Sequence, residues 1–357
     1  MRRVWLWLHR WLGLAVGVPF CLIALSGAIY CWEPELRAVV QQQRVPERDL
    51  PLASVTELRD AVQAALPQGD LRTLLWRESG WAVEALVYAP GTYFHVQLDP
   101  YDATVVHVQD MKVGWVNRLR DLHRTLLLGE PGRRIGHAVV TIYFGLILTG
   151  VILRRPWRRN ATALVRKGGW FTWHLRLGYH GSVVALLSVM TGLYWAHDFI
   201  EHGFKAATGE LTQPVPPPQS VVPAEGAPRP AAWPLLQDLA VTMRAEHPAA
   251  NVRVSVPHGD RTPITVSIIQ RDHRVVTTVV RQFDRYTGEP IVRPTDASNG
   301  DSRSRFNRAS GWVYDIHFGT WLGFPGRLMM CVSALLAASL PVSGVVMWWR
   351  GRSGKRS

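Results

Sequence analysis

The sequence predicts a membrane protein that is α-helical in the bilayer and α+β outside it, with four transmembrane helices as two parallel repeats that each carry one α+β domain. Four apolar stretches without Asp, Glu, Lys or Arg, each long enough to cross a bilayer, predict the helices: 12–32, 135–153, 177–195 and 328–349. Two internal matches predict the repeats. Residues 121–133 return at 315–327, an offset of 194, and positions in 5–27 return in 170–192, an offset of 165.

Basic residues mark one side of the membrane. The formal net charge of the chain is +13, and residues 2–10, 154–176 and 350–356 carry cations without any acidic residue. The positive-inside rule places both termini and the loop between the second and third helices in the cytoplasm, with the soluble domains outside. This placement accounts for the excess of basic over acidic residues, so no nucleic-acid partner is expected. The first apolar stretch is too long for a signal-peptide core and predicts a retained anchor.

Nine segments follow in order along the chain. They are transmembrane helix 1 (1–34), the first soluble domain (35–114), an amphipathic helix with transmembrane helix 2 (115–155), a basic cytoplasmic loop (156–170), transmembrane helix 3 (171–200), a Pro-rich linker (201–234), the second soluble domain (235–305), an amphipathic helix with transmembrane helix 4 (306–350) and a cytoplasmic tail (351–357).

Each soluble domain reads as one helix followed by antiparallel strands. Apolar spacing and turn residues predict helix 55–66 with strands 71–76, 81–88, 93–98 and 104–108, and helix 235–246 with strands 252–256, 264–270, 275–283 and a further run to 292. The piece 96–102 matches 281–287 at an offset of 185. Between the first domain and the membrane, 115–128 predicts an amphipathic helix, which Gly129-Glu-Pro-Gly132 should interrupt.

Four histidines recur at equivalent span ends: His9 and His174 on the cytoplasmic side, His123 and His317 on the outer side. Parallel repeats relate such residues by an axis along the membrane normal, and haem iron accepts two axial imidazoles. We therefore expect two non-covalent b-type haems, one for each pair, since no C-x-x-C-H motif is present. The alternative is that these rings bond lipid headgroups or backbone carbonyls. Zinc is disfavoured because two histidines alone do not complete a structural zinc site.

Further residues are candidates for the same sites. His137 and His197 lie at outer span ends and form either a substitute or additional ligand pair or a satisfied polar contact, while His180 is an unmatched histidine within a span. Arg133 and Arg327 follow the two Pro-Gly turns. They are candidates to neutralise haem propionates, and the alternative is that they anchor helix ends at the interface.

Several of these motifs together resemble the PepSY-associated transmembrane family over essentially the whole chain. They are W-L-H-R-W-L-G-L at Trp7–Leu14, D-L-H-R at Asp121–Arg124 followed by G-E-P-G-R, the S-G and T-G pairs of spans one and three, and D-x-Y-x-G at Asp284–Gly288. The first copy departs from the pattern, because Asp102-Ala-Thr replaces the Thr-Gly-Glu of the second. The resemblance implies a Gram-negative inner-membrane protein with four spans and two periplasmic PepSY-like domains.

The resemblance also implies a function, since some members are ferrisiderophore reductases that bind haem b through histidines similar to His9, His123, His174 and His317. The leading hypothesis is thus a conduit that passes electrons from a separate cytoplasmic reductase or quinol to a periplasmic acceptor, with ferric siderophore favoured. A periplasmic protein- or peptidase-binding regulatory protein without redox activity is the alternative. Transport ranks last because the spans contain no carboxylate for ion coupling.

Overall fold

The computed structural model describes residues 2–40, 42–154, 169–211, 216–271, 276–292, 301 and 303–353. They separate into two compact units. The helical unit comprises Met1–Glu33, Arg118–Lys205 and Ser310–Ser357, and the sheet unit comprises Pro34–Asn117 and Ala206–Ala309. Most of the predicted basic loop 156–170 and of the tail 351–357 lies outside the described residues.

The helical unit contains the membrane-spanning candidates. Its helices are α1 (Arg2–Tyr30), α4 (Trp115–Thr125), α5 (Gly129–Arg154), α6 (Gly169–His180), α7 (Ser182–Ala196), α8 (Asp198–Ala207), α10 (Arg305–Phe318) and α11 (Gly323–Ser353), with a 3₁₀ turn at Thr320–Leu322. Among the described residues, three segments are long and apolar enough to cross a membrane: Arg2–Tyr30, Gly129–Leu153 and Thr320–Gly351. The predicted third span is instead the pair α6 and α7, bent by 61°.

Small residues allow the close approaches in this unit. A Cβ on Gly17 of α1 would lie 3.1 Å from the Cβ of Pro341 in α11, so a glycine lets these two helices pack closely. Phe20 stacks on Tyr143 of α5 with ring centroids 3.7 Å apart. The bend between α6 and α7 falls at Gly181, where a Cβ would lie 2.7 Å from the carbonyl oxygen of Leu177.

The break before α5 lies slightly earlier than the sequence predicted. Helix α4 ends at Thr125, and Leu126 and Leu127 adopt φ values of 50° and 61°. Pro131 lies in the first turn of α5, where the missing N–H of proline has no intrahelical partner to lose. The helix is therefore interrupted by the residues just before Gly129, and the Gly-Glu-Pro-Gly motif begins the next helix. A second difference is α8, which occupies part of the predicted linker.

The sheet unit contains α2 (Glu33–Val40), α3 (Val55–Ala65), α9 (Trp233–Glu246) and seven strands. The strands are β1 (Asp70–Trp76), β2 (Val83–Ala89), β3 (Thr92–Leu98), β4 (Val105–Asp110), β5 (Ala250–Ser255), β6 (Ile264–Arg271) and β7 (Val276–Phe283). All pairings are antiparallel, in the order β4-β3-β2-β1-β5-β6-β7. The predicted strands are confirmed up to residue 283.

The two predicted soluble domains share this sheet rather than forming separate bodies. Strand β1 pairs with β5, with Thr73 opposite Ser255 and Trp76 opposite Val252. Side chains of α3 and α9 pack into one hydrophobic core with both groups of strands. Pairing of β1 with β5 satisfies backbone groups that two separate sheets would leave at exposed edges.

The predicted equivalence of Asp99 and Asp284 has a structural counterpart. Each carboxylate follows a strand and accepts a hydrogen bond from the backbone N–H two residues later, at 2.9 Å from Tyr101 and 2.8 Å from Tyr286. The turn at Asp284 ends β7, and beyond it the described residues to 292 contain only an isolated bridge between Phe283 and Pro290. The predicted strand running to 292 is therefore not formed, because the carboxylate directs the chain into a turn.

Candidate paired-histidine sites

His9 and His174 face each other across the helical unit. His9 lies on α1 and His174 on α6, and their ring centroids are 6.2 Å apart with the rings nearly perpendicular. The Nδ1 atom of His9 lies 2.9 Å from the hydroxyl of Thr149, and the Nδ1 atom of His174 lies 2.8 Å from the hydroxyl of Ser343. Each ring is thus held through the same nitrogen by a hydroxyl from a neighbouring helix.

His123 and His317 form a second pair. His123 lies on α4 and His317 on α10, with centroids 6.3 Å apart and an interplanar angle of 54°. The Nδ1 atom of His123 lies 2.8 Å from the carbonyl oxygen of Ile23, and the Nδ1 atom of His317 lies 2.8 Å from the hydroxyl of Thr191. Both predicted pairs are therefore brought together by the fold.

The hydrogen bonds define which ring nitrogen is free. A carbonyl only accepts, so Nδ1 of His123 must donate. The hydroxyls of Thr149, Ser343 and Thr191 donate their only hydrogen to carbonyls of their own helices. With that hydrogen on the carbonyl, each hydroxyl accepts from the histidine Nδ1 atom. All four rings consequently carry the proton on Nδ1 and present an unprotonated Nε2, the arrangement of a metal-ligating histidine whose second nitrogen is held by the protein.

The spacing of each pair suits one ion between two rings. An imidazole nitrogen binds a metal at about 2.0–2.1 Å and lies roughly 1 Å from its ring centre, so two rings on opposite sides of one ion have centroids about 6 Å apart. The observed 6.2 and 6.3 Å agree with this distance. No group of three or more His, Cys, Asp or Glu residues at metal-ligand spacing occurs in the part of the chain that the structure describes.

Glycines provide the room that these rings occupy. A Cβ on Gly27 would lie 2.7 Å from Cε1 of His123, and one on Gly150 would lie 3.4 Å from Cε1 of His9. A Cβ on Gly192 would lie 3.8 Å from Cε1 of His317. The Ser-Gly and Thr-Gly pairs of spans one and three therefore lie beside the His123/His317 pair.

Sequence reasoning missed Thr149-Gly150 and Ser343-Gly344. These dipeptides lie on α5 and α11, and they are related by the same offset of 194 residues as His123 and His317. Extending that offset through the apolar stretches would have found them. A search limited to charged and imidazole side chains overlooks hydroxyls, which are common inside membrane helices.

His137 and His197 form a third pair of different chemistry. Their ring centroids are 6.3 Å apart with an interplanar angle of 55°. Here Nε2 rather than Nδ1 is bonded, because Nε2 of His197 lies 2.8 Å from the hydroxyl of Thr141. His180 is exposed, and its described ring contact is with Tyr179 at 5.3 Å.

The two candidate arginines have protein partners. Arg133 forms an ion pair with Glu130 at 2.5 Å. Arg327 donates from Nε and from one terminal nitrogen to the carbonyl oxygen of Cys31, at 3.1 and 2.9 Å, and its guanidinium lies 4.7 Å from the ring centre of Trp32. These contacts fit the helix-anchoring alternative, and the propionate role remains a prediction.

Comparison with known proteins agrees with this architecture. No curated protein sequence matches the chain significantly. The model of the PepSY-associated TM region matches residues 6–351, which include both soluble segments, all the apolar helices and the three histidine pairs. A chain with membrane-spanning candidates and this nearly complete match is a membrane protein that belongs to the PepSY-associated transmembrane family.

Proposed function

We propose that the protein binds two b-type haems, one through His9 and His174 and one through His123 and His317, and transfers electrons across the bacterial inner membrane to a periplasmic acceptor. The observation that carries the proposal is the geometry of the two pairs. Each has the centroid spacing of bis-imidazole ligation, and all four rings present a free Nε2 while the protein holds Nδ1.

The chain itself would hold and orient the cofactors. Haem supplies one-electron redox chemistry when it is bound, with a potential set by its ligands and their surroundings. The hydrogen bonds of Nδ1 raise the basicity of the ligating nitrogen and fix the ring orientation. Thr149, Ser343 and Thr191 provide three of these bonds, and the Ile23 carbonyl provides the fourth. No general acid, base or nucleophile is needed for such a reaction.

The two pairs lie at different depths along one helix. His9 belongs to α1, and His123 is bonded to Ile23 of the same helix, 14 residues further on. At about 1.5 Å of rise per residue, these positions are roughly 21 Å apart along the helix axis, compared with about 30 Å for the hydrocarbon core of a bilayer. Two sites at this separation suit electron transfer from one face of the membrane to the other.

The proposed topology has four spans in two parallel repeats, with α6 and α7 together forming the third. Basic residues at the start of α1, around 154–176 and after α11 support cytoplasmic termini and a periplasmic sheet unit. Fusion of a periplasm-active reporter to the C-terminus should give no signal, whereas a fusion in the Pro-rich segment 216–232 should give a strong one. Activity of the C-terminal fusion would refute this orientation.

Donor and acceptor are proposed on chemical and family grounds. The chain contains no recognisable nicotinamide or flavin motif, so a separate cytoplasmic reductase or the quinol pool should supply the electrons. Ferric siderophore is the favoured acceptor because of the family resemblance. Mixing the dithionite-reduced protein with ferric siderophores in a stopped-flow instrument should reoxidise it, and oxidation no faster than in buffer would exclude the chelates tested.

Absorption spectroscopy of the purified full-length chain tests the haem assignment. Protein from haem-replete cells should show an intense Soret band, sharp reduced α bands and a haem-to-protein ratio near two. His317→Ala should lose one haem, whereas His107→Ala, which changes a histidine of β4 in the sheet unit, should keep both. A colourless wild-type preparation would overturn the proposal and favour the protein-binding regulatory alternative. Full retention of both haems in His317→Ala would refute the second pairing.

A further inference from the structure

We propose that His137 and His197 form a binding site for a divalent first-row transition-metal ion, in addition to the two proposed haem sites. His137 lies in the third turn of α5, and His197 directly follows α7. Both side chains are half-buried. The 6.3 Å between their ring centroids is the spacing that allows one ion to contact both rings.

The hydrogen bonds of Thr141 determine the protonation of His197. The Thr141 hydroxyl lies 2.8 Å from the carbonyl oxygen of His137 and 2.8 Å from Nε2 of His197, and with its hydrogen on the carbonyl it accepts from Nε2. The proton of His197 is thus on Nε2, and Nδ1 is the free nitrogen. This is the opposite of the arrangement in the two proposed haem pairs.

A free Nδ1 favours an ion over a porphyrin. Nδ1 is adjacent to the ring carbon that carries the side chain, so a flat macrocycle bound there would collide with Cβ and the backbone. A metal ion with small exchangeable ligands has no such conflict. Imidazole nitrogen suits Fe²⁺, Co²⁺, Ni²⁺, Cu²⁺ and Zn²⁺, whereas Mg²⁺ and Ca²⁺ prefer oxygen.

One carboxylate next to the pair, that of Asp198, favours a cation, whereas the charge of Glu130 is offset by two arginines. Asp198 follows His197 at the start of α8, and Glu130 precedes His137 by two turns on the same face of α5, where it pairs with Arg133 and Arg134. Neither carboxylate completes a three-residue ligand set among the described residues. The site therefore offers two imidazoles and leaves the remaining coordination positions to water or to a ligand that arrives with the metal.

The position of the site next to the His123/His317 pair suggests its use. Gly192 approaches both His317 and Val140, and Val140 lies one turn beyond His137 on α5. If the proposed function holds, an ion at His137 and His197 would lie beside the redox site that faces the periplasm. Iron freed from a reduced chelate would meet these two imidazoles there. The metal site itself does not depend on the haems.

Equilibrium dialysis of the untagged full-length chain against Co²⁺, with cobalt and haem quantified in the same samples, tests this site. The wild type should bind one Co²⁺ that His137→Ala and His197→Ala lose, and His107→Ala, which changes a histidine of β4, should bind it normally. His137→Gln provides a second variant should the alanine variant fail to fold. Thr141→Val should weaken cobalt binding about 10- to 100-fold, because it removes the hydroxyl that orients His197.

Three outcomes would overturn the metal site. One is wild-type protein that binds no Co²⁺, and another is His137→Ala or His137→Gln protein that binds it with unchanged affinity. The third is loss of one haem from His137→Ala, since the pair would then hold a porphyrin. The haem measurement separates these results from failure of the proposed function, which would appear as missing haem in the wild type.

Discussion

Substitution of Gly27 by alanine should perturb the His123/His317 site with little effect on the rest of the helical unit. An added Cβ would lie 2.7 Å from Cε1 and 2.9 Å from Nδ1 of His123. Carbon atoms in contact are normally about 3.5–4.0 Å apart, so the ring must withdraw by about 1 Å. The bond from Nδ1 to the Ile23 carbonyl is 2.8 Å long, and this movement would break it.

The expected loss follows from the role of that bond. Removal of a hydrogen bond that orients a metal-ligating histidine typically weakens metal binding about 10- to 100-fold, or roughly 1.4–2.7 kcal/mol. Alanine is more favourable than glycine in a helix by about 1 kcal/mol, which offsets part of the strain in folding. Gly27→Ala should therefore fold and keep the His9/His174 haem while its affinity for the second haem falls.

The assay is the haem-to-protein ratio during titration of haem into the apoprotein. Gly145→Ala is the matched control, because Gly145 also lies in an apolar helix and a Cβ there meets nothing within 4 Å. The control should bind two haems with wild-type affinity. Wild-type affinity at both sites of Gly27→Ala would refute the reasoning, and so would selective loss of the His9/His174 haem.

Two further predictions concern a hydroxyl and a carboxylate. Thr149→Val removes the acceptor for Nδ1 of His9 and should weaken haem binding at the His9/His174 site about 10- to 100-fold in the same haem titration. Thr141→Val, the control, should leave both haems bound. Equal effects of the two variants would contradict this prediction. Burial tends to raise the pKa of Asp284, but backbone N–H donors that include Tyr286 outweigh it and hold the pKa below its ordinary value. The lowered pKa stabilises the folded protein fully when the pH is above the pKa of about 3.9 that an aspartate has in the unfolded chain. This stabilisation is lost as the pH falls through the pKa of Asp284 in the folded protein. Asp284→Ala should therefore lower the free energy of unfolding of the sheet unit by about 1.5–3 kcal/mol at pH 7 and by less at pH 3. Denaturant titrations at the two pH values measure these losses. Equal losses at both pH values would refute the role of the charge.

Local patterns predicted much of the fold because their causes are local. The strands β1–β3 and the helix α3 lie within two residues of their predicted bounds, since alternation, helical spacing and turn residues act over short distances. Ser54 and Glu57 form a complete capping box at the start of α3, although Thr56 offers the same hydroxyl two residues later. Only the backbone geometry at the helix start decides which of two neighbouring hydroxyl residues becomes the N-cap.

The internal offsets also predicted the partners of both main histidine pairs. Duplication repeats a residue's position in its helix, so equivalent histidines were expected near a common axis, and the centroid distances of 6.2 and 6.3 Å agree. The third pair was left open between a ligand pair and a polar contact. His137 and His197 have no equivalents in the other copy, so their proximity could not be derived from the repeat.

By itself, the sequence determined the apolar helices, the order of the strands along the chain and which histidines recur. Only the tertiary structure decided that one sheet joins the two soluble domains, that the third apolar stretch bends at Gly181, and which nitrogen each ring presents. The contacts that orient the histidine rings, such as that of His9 with Thr149, join residues 56 to 169 positions apart. Their distances depend on helix register and packing, which no short stretch of sequence encodes.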